Sequence, residues 1–287
     1  TLAFFLVRLA PGGPFDEEQR LAPAVKANLD RAYGLDQPML VQYGRYLRGL
    51  VTGDLGPSLR IRDRRVADLV REGLPVSLTL GGSALILALA LGIGGGLWSA
   101  RRRGQWPDRV LAALSVVAVA LPPYVTAPLL VLGFAVGLGW LPVAGWEPGR
   151  PLDLVLPVLA LAWPTAGTVL RLLRASALEV RDSAAVFAAR ARGLGEGRIE
   201  LCYVLPMALS PVLGYLGGAA AALLGGSLVV ETVFGLPGMG RFLVEGALNR
   251  DYTLVLGKVV VYTLIVLVLN LVADVGAFAP KEARQQE

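Results

Sequence analysis

Five runs of apolar residues, each about as long as a bilayer is thick, decide what this chain can fold into. They cover residues 76–98, 110–138, 152–172, 212–234 and 254–278. Each reaches or exceeds the roughly 20 residues that cross about 30 Å of hydrocarbon at about 1.5 Å per residue. A sixth run, residues 2–9, is apolar except for Arg8 and reads as the tail of a helix whose beginning lies outside the sequence, or a remnant of one. The expectation is an all-α integral membrane protein, a bundle of six transmembrane helices. Residues 1–10 then end the first helix, 11–75 form an extracytoplasmic loop domain between helices one and two, 76–278 form the transmembrane core, and 279–287 are a tail.

Composition agrees and removes other classes. Of the 287 residues, 55% are hydrophobic and 17% charged. A soluble domain carries about 25% charged residues and fewer apolar ones. With no histidine, Ser-His-Asp chemistry and histidine-ligated metal are excluded. The one cysteine, Cys202, permits neither an intrachain disulfide nor a thiolate metal cluster. A net charge of +5 would suggest nucleic acid in a soluble protein, but here it reads as the arginines of cytoplasmic loops, with no nucleic-acid partner.

Prolines are expected to break the third and fourth spans, at Pro122-Pro123 and at Pro157 and Pro164, because each ring removes a helical hydrogen bond. Such kinks suit a moving bundle, although proline is also commoner in membrane helices generally. Glycines four apart, Gly92 and Gly96, Gly133 and Gly137, Gly214 and Gly218, are expected to let helix backbones approach closely.

Arginines set the orientation. The segment after span two holds Arg101, Arg102, Arg103 and Arg109, and that after span four holds Arg171, Arg174, Arg181, Arg190, Arg192 and Arg198; the tail adds Lys281 and Arg284. The alternate short loops hold Arg150 on one and Arg241 and Arg250 on the other. By the positive-inside rule, the arginine-rich loops and both termini are cytoplasmic. The long outer loop, with ten basic and nine acidic residues, is too long for its charges to vote.

Within that loop, PAVKANLDRAYGLDQP predicts a short amphipathic helix ending at Gly34, and LVQYGRYLRGLVTGDLG another ending near Gly53. On the other side, the stretch from Arg171 to Pro211 begins as a continuation of the fourth span. Alanines 184, 185, 188, 189 and 191 favour helix, Gly193, Gly195 and Gly197 interrupt it, and 198–203 begin another turn before Pro206. The product is a helix, a glycine turn and a second short helix at the inner face. On spacing alone the stretch reads as an ordinary basic loop; the alternative is a stiff knob that seats in a cleft of another protein.

The same stretch resembles a known motif. Phe187-Ala188-Ala189, three residues, Gly193, nine residues, Tyr203, one residue and Leu205-Pro206 are similar to the EAA loop of binding-protein-dependent ABC importer permeases, with Phe187 in place of the glutamate and Tyr203 in place of the isoleucine. Loss of the glutamate is common in the peptide branch. FFLVRLAPGGPF at 4–15, GDLGPS at 53–58, LPPYVTAPLLVLGFAVGLGWLP ending at Pro142, and VVETVFGLPGMGRFLVEGALNRDYTLVL at 229–256 resemble the B-type permease subunit of oligopeptide and dipeptide importers.

That resemblance implies the type I importer permease fold and half of a pathway for peptide uptake through the cell (inner) membrane, with the oligopeptide branch favoured by APGGPF and dipeptide or nickel import as alternatives. It implies as partners a second, C-type permease, two cytoplasmic ATPases that hold ATP and Mg, an extracytoplasmic peptide-binding protein, and the peptide itself. It also implies that the loop 175–211, through Ala188, Ala189, Gly193, Leu205 and Pro206, couples to the ATPases. No enzyme activity and no cofactor are expected in this chain. It has no GxxxxGK[ST] loop: Gly257-Lys258 is followed by Val259. Gly235-Leu-Pro-Gly238-Met-Gly240 reads as a reversing turn on the outer side.

Polar and charged side chains are costly in lipid, so Glu231, Lys258, Asn270 and Asp274 stand out in the spans. Glu231 and Lys258 fall toward the outer ends of adjacent spans and are candidates for an outer gate; the alternative is that they snorkel or meet the partner permease. A stand-alone secondary transporter or channel would call for paired midplane carboxylates, and an intramembrane enzyme for a nucleophile with a base or metal; neither pattern is seen.

Overall fold

The computed structural model describes residues 1–9, 23–61, 63–147 and 149–283. The helices are α1 (Leu2–Leu9), α2 (Pro23–Tyr33), α3 (Met39–Thr52), α4 (Val66–Arg101), α5 (Trp106–Ala120), α6 (Pro123–Leu130), α7 (Leu152–Arg181), α8 (Ala184–Ala191), α9 (Glu196–Ile199), α10 (Leu205–Ala208), α11 (Ser210–Val233), α12 (Met239–Leu248) and α13 (Tyr252–Ala283). A π-helical stretch, Val131–Gly137, continues α6, and another, Glu200–Val204, joins α9 to α10. The chain divides into two compact units, one of residues 1–77 and 237–264, the other of residues 78–236 and 265–287.

Among the described residues, four helices are long and apolar enough to cross a membrane: α4, α7, α11 and the Tyr252–Val272 part of α13. The pair made by α5 and α6 with its π-helical continuation is a fifth if counted as one span, bent by 109°. The sixth expected span, α1, has eight residues and covers only about 12 Å. Residues 10–22, with most of APGGPF, lie outside the described residues.

The bend is sharper than the expected kink. A residue before proline is pushed out of the α region, and in Leu121-Pro122-Pro123 this happens twice in succession. Leu121 (φ −93°, ψ 110°) and Pro122 (φ −67°, ψ 155°) are both extended. Pro123 then opens α6 at a position where its missing N–H costs nothing. In α7, by contrast, Pro157 and Pro164 do not break the helix: it runs unbroken for 30 residues. Neither is preceded by a second proline, and Leu156, Ala160, Leu161 and Ala162 are all buried by neighbours that hold the segment.

In the second unit α7 is the central helix, with α5, α6, α10 and α11 packed on it. The C-terminal part of α4 reaches it through glycines. A Cβ on Gly92 would lie 2.6 Å from the Val169 side chain, and one on Gly96 would lie 3.0 Å from the Leu170 carbonyl oxygen. The other two glycine pairs do not work this way: Gly133, Gly214 and Gly218 face open space, and Gly137 meets only the Leu132 carbonyl. Close approaches not foreseen occur at Gly167, against the Ser115 carbonyl and Ala118, and at Gly217, against Asn270.

In the first unit, α2 and α3 end as their glycines predict. Gly34 (φ +65°) and Gly53 (φ +74°) are left-handed. The following amides close the turns, Leu35 N to Asp30 O at 2.7 Å and Asp54 N to Gly49 O at 2.8 Å. Rings of Phe4, Phe5, Tyr43 and Tyr46 join α1 to α3. The turn after α12 repeats the pattern with Arg250 (φ +55°), a non-glycine residue, in the left-handed position; Asp251 N donates to Gly246 O at 2.8 Å.

Asp251 is the polar centre of this unit. Its carboxylate is fully buried. Oδ1 accepts from Leu254 N and Thr253 Oγ1, both at 3.0 Å, which caps α13. Oδ2 accepts from Ser58 Oγ, from Leu59 N at 3.1 Å and from Arg60 N at 3.3 Å. One side chain thus starts a spanning helix and clamps the loop after GDLGPS, about 190 residues earlier. Asp251→Ala leaves several buried donors without an acceptor at about 1–3 kcal/mol each. We expect it to lower the thermal unfolding midpoint of the detergent-solubilised protein sharply; an unchanged midpoint would show the clamp to be dispensable.

Candidate coupling loop and buried charges

After α7 the chain turns at Asp182 and Ser183 and starts α8, whose alanine-rich sequence gives a thin helix. The stop is built in the backbone. Gly193 (φ +76°) takes the left-handed position, Gly193 N donates to Arg190 O at 2.9 Å, and Leu194 N donates to Ala189 O at 3.3 Å. Leu194 then folds onto the apolar cluster beneath. This is the Schellman arrangement, and an L side chain at 193 is strained in it. A Cβ there would meet nothing within 4 Å, so the constraint is conformational rather than steric. Gly195 restarts the chain as α9, and Arg190 Nε donates to Glu196 Oε1 at 2.8 Å across the turn. The Arg190 guanidinium holds the Glu196 carboxyl below the usual range.

The knob has an inner and an outer side. Val186 and Ala189 are buried with Val169, Leu173 and Ala177 of α7, with Ile199, Val204, Ala208 and Val212 from the rest of the loop, and with Ala100 of α4. Ala188 is half-buried and Gly193 exposed. Phe187, at the place of the motif's glutamate, is 75% exposed. Leu205 is half-buried, and Pro206 is exposed in the first turn of α10, where proline is tolerated. The residues of the predicted motif therefore form one continuous structure, from α8 through the glycine turn to α10.

Two buried carboxylates, neither anticipated, tie this end together. Asp108 accepts Arg174 Nε at 2.7 Å on Oδ1 and Arg174 Nη2 at 2.9 Å on Oδ2, a bidentate pair. Ser99 Oγ at 2.5 Å and Gly104 N at 2.8 Å also donate to it. It joins the end of α4, the start of α5 and the C-terminal part of α7. Glu200, 2% exposed, meets Arg181 at the end of α7 and Arg101 Nε at the end of α4, the latter at 3.2 Å. Three arginines counted as topology markers are thus also structural cations. The one signal in the sequence was the presence of acidic residues within two strongly basic segments, Asp108 in the first and Glu179, Asp182, Glu196 and Glu200 in the second.

Of the four polar residues singled out in the spans, Glu231 is fully buried in the last turn of α11 within the second unit. Lys258 is fully buried within the first unit. Its Nζ donates to Met239 O at 2.9 Å and sits 4.3 Å from the centre of the Phe242 ring. Met239 N donates to Ser77 Oγ at 2.9 Å, and a Cβ on Gly73 would lie 2.9 Å from the same amide nitrogen. The glycine string after Gly235 is therefore a turn followed by the start of α12, seated on α4 and held by Lys258. Asn270 lies against Gly217, and the side chain of Asp274 lies outside the described residues.

Long apolar helices with an ordered knob between two of them are the architecture of a multi-pass membrane protein. Residues 92–279 match the family of binding-protein-dependent transport system inner membrane components, and the chain belongs to that family. It is 42% identical over 275 residues to the oligopeptide transport system permease protein OppB of Haemophilus influenzae, covering 96% of this chain and 90% of that protein. It is 44% identical over 256 residues to OppB of Escherichia coli K12, covering 89% and 84%. With the dipeptide transport system permease protein DppB of Bacillus subtilis it shares 37% over 276 residues, covering 96% and 89%. The fold is similar to the inward-facing MetNI methionine ABC transporter, with a TM-score of 0.62 over 74% of this chain and 95% of that one at 18% identity. The chain is thus an ABC importer permease, a transport subunit and not an enzyme, multi-pass in the inner membrane, working with ATPase and permease partners and a binding protein.

Removing the carboxylate of Asp108 strands Arg174, whose side chain is 30% exposed. Breaking a buried pair costs about 3–5 kcal/mol, and solvent at the arginine reduces this to about 1–3 kcal/mol. Asp108→Ala is therefore expected to lower the thermal midpoint, and the Asp108→Ala/Arg174→Met double variant to recover part of the loss; a double variant no better than the single would show the pair to be unimportant.

Proposed function

We propose that this chain forms half of a peptide pathway, oligopeptide rather than dipeptide, and couples it to ATP hydrolysis through residues 175–211. The other half is a second permease of the C type. Two cytoplasmic ATPases bind the loop and hold ATP and Mg, and an extracytoplasmic binding protein delivers peptide to the outer face. The arginine distribution supports a cytoplasmic C-terminus, and the expected count of six spans puts the N-terminus on the same side. The observation that carries this reading is the knob itself. Ala188, Ala189, Gly193, Leu205 and Pro206 fall in one folded piece that shares an apolar cluster with α7, so a push on the knob reaches a spanning helix directly. Two oligopeptide permeases among the relatives support the substrate class.

In operation, closure of the ATPase dimer moves the knob, and the bundle alternates between inward-facing and outward-facing states as rigid bodies. Co-purification and reconstitution test this. A complex with a second permease and two ATPases that takes up labelled oligopeptide in preference to dipeptide supports it, and a transport-active homomer would overturn it.

The glycine turn gives a sharper test of coupling. Gly193→Val forces a β-branched residue into a left-handed conformation and is expected to leave the complex in the membrane while abolishing peptide-stimulated ATPase activity. Gly193→Asn, which tolerates that conformation, is expected to keep most of it. Full stimulation in the valine variant would refute the role of the turn.

An outer-gate role for Glu231 and for Lys258 rests on the complete burial of each charge in its own unit. Peptide uptake after Glu231→Gln and after Lys258→Met is expected to fall in both; transport at the wild-type rate in both removes the gate.

A further inference from the structure

Glu200 is not one of the motif residues, yet it is the one acidic side chain of the coupling loop that is buried. Its Oε2 meets two guanidiniums at once. Arg181 comes from the last turn of α7 and Arg101 from the last turn of α4. The carboxylate sits in the π-helical stretch Glu200–Val204, between the short helix α9 and the Leu205-Pro206 end of the loop. A π-helical turn inside a helical segment redirects side chains relative to a regular helix, and this one places Glu200 inward while Leu201 and Cys202 stay exposed.

The cluster is only half satisfied. Glu200 Oε1 and Arg181 Nε are both buried, and neither has a hydrogen-bond partner among the described residues. Ser183 Oγ, at the start of α8, is a third buried polar atom in the same condition. A carboxylate and a guanidinium have the geometry for two parallel bonds, but here a second guanidinium shares the oxygen and the second bond is not made. Asp108 in the same unit shows the contrast, because its single guanidinium is held on both oxygens. Buried groups left half paired are retained at a cost in stability, and nothing about packing the apolar cluster calls for them at this place.

We propose that Glu200 is a positioning residue for transport: it fixes the coupling loop to the inner ends of α4 and α7 at the same time, so that displacement of the knob moves both helices together. The apolar cluster alone could slide, because dispersion contacts between alanine, valine and leucine have no directional preference. The ion pairs are directional and link three segments at a point. The idle Oε1 and Nε give the joint room to exchange one guanidinium for a second bond from the other without breaking. This inference rests on the coupling role assigned to the loop, and its test separates the two.

The test uses the complete importer, with its partner permease, ATPases and binding protein, in proteoliposomes. ATP hydrolysis and labelled peptide uptake are measured on the same preparation and normalised to assembled complex. Glu200→Gln keeps the side chain's size but removes its charge. It is expected to preserve assembly and hydrolysis while lowering peptide taken up per ATP by about fivefold or more, within the range of coupling free energies between distant sites. Arg101→Gln, at the more exposed partner, is expected to give a smaller loss of the same kind, and Glu200→Asp to recover part of it. A residue that merely stabilises the fold would lower hydrolysis and uptake in parallel and leave their ratio unchanged. An unchanged ratio in Glu200→Gln overturns the proposal; if that variant does not assemble, an unchanged ratio in Arg101→Gln does so. A wild-type complex whose hydrolysis is insensitive to peptide and binding protein overturns the coupling reading of the whole loop instead.

Discussion

The close contact of α4 with α7 is the constraint on which the end of this permease that carries the knob depends. Gly92 and Gly96 bring the α4 backbone against Val169, Leu170 and Leu173, nearer than any side chain would allow. Only at that separation can Ser99 and Arg101, at the end of α4, share carboxylates with Arg174 and Arg181 of α7. In lipid there is little hydrophobic drive to hold helices together, so packing and directional polar contacts must do it. Small residues supply the first, and the two carboxylates supply the second.

The same division of labour explains why a transport subunit can dispense with reactive chemistry. On the coupling role proposed for the loop, its functional parts are joints. The knob is stiff because alanine packs closely and because a left-handed glycine ends its helix in one defined direction. Its attachment is both broad, through the apolar cluster, and pointed, through Glu200. In the first unit Asp251 plays a similar part for the loop after Gly56 and the start of α13, so each unit has a buried carboxylate at the place where remote segments meet.

Much of this was legible in the sequence because it depends on neighbours along the chain. Apolar run length marked the spans, and Gly34, Gly53 and Gly193 marked helix ends that the structure places where expected. Where two effects compete locally, legibility failed. Pro122-Pro123 read as a kink and is a 109° turn, because the second proline extends the residue that would otherwise have resumed the helix. Pro157 and Pro164 read as breaks, and the packing around α7 carries the helix through them. Glycine spacing did not separate Gly92 and Gly96, which meet a neighbour, from Gly214 and Gly218, which do not. The charge pairs were hidden for a different reason. Asp108 and Arg174 are 66 residues apart, and Asp251 and Leu59 are 192, and nothing local in the chain announces such pairings.

The outward face of the knob has a cost for the cell that makes it. Phe187 is 75% exposed and Leu201 63%, both in the segment proposed above to bind the ATPases. Large apolar side chains left in water promote self-association. A copy of this subunit produced in excess of its partners would carry an adhesive spot that its own folding does not remove. If the ATPases do cover this segment, balanced synthesis of the subunits follows as a demand on the cell, since the ratio in which they are made then matters as much as the quality of each.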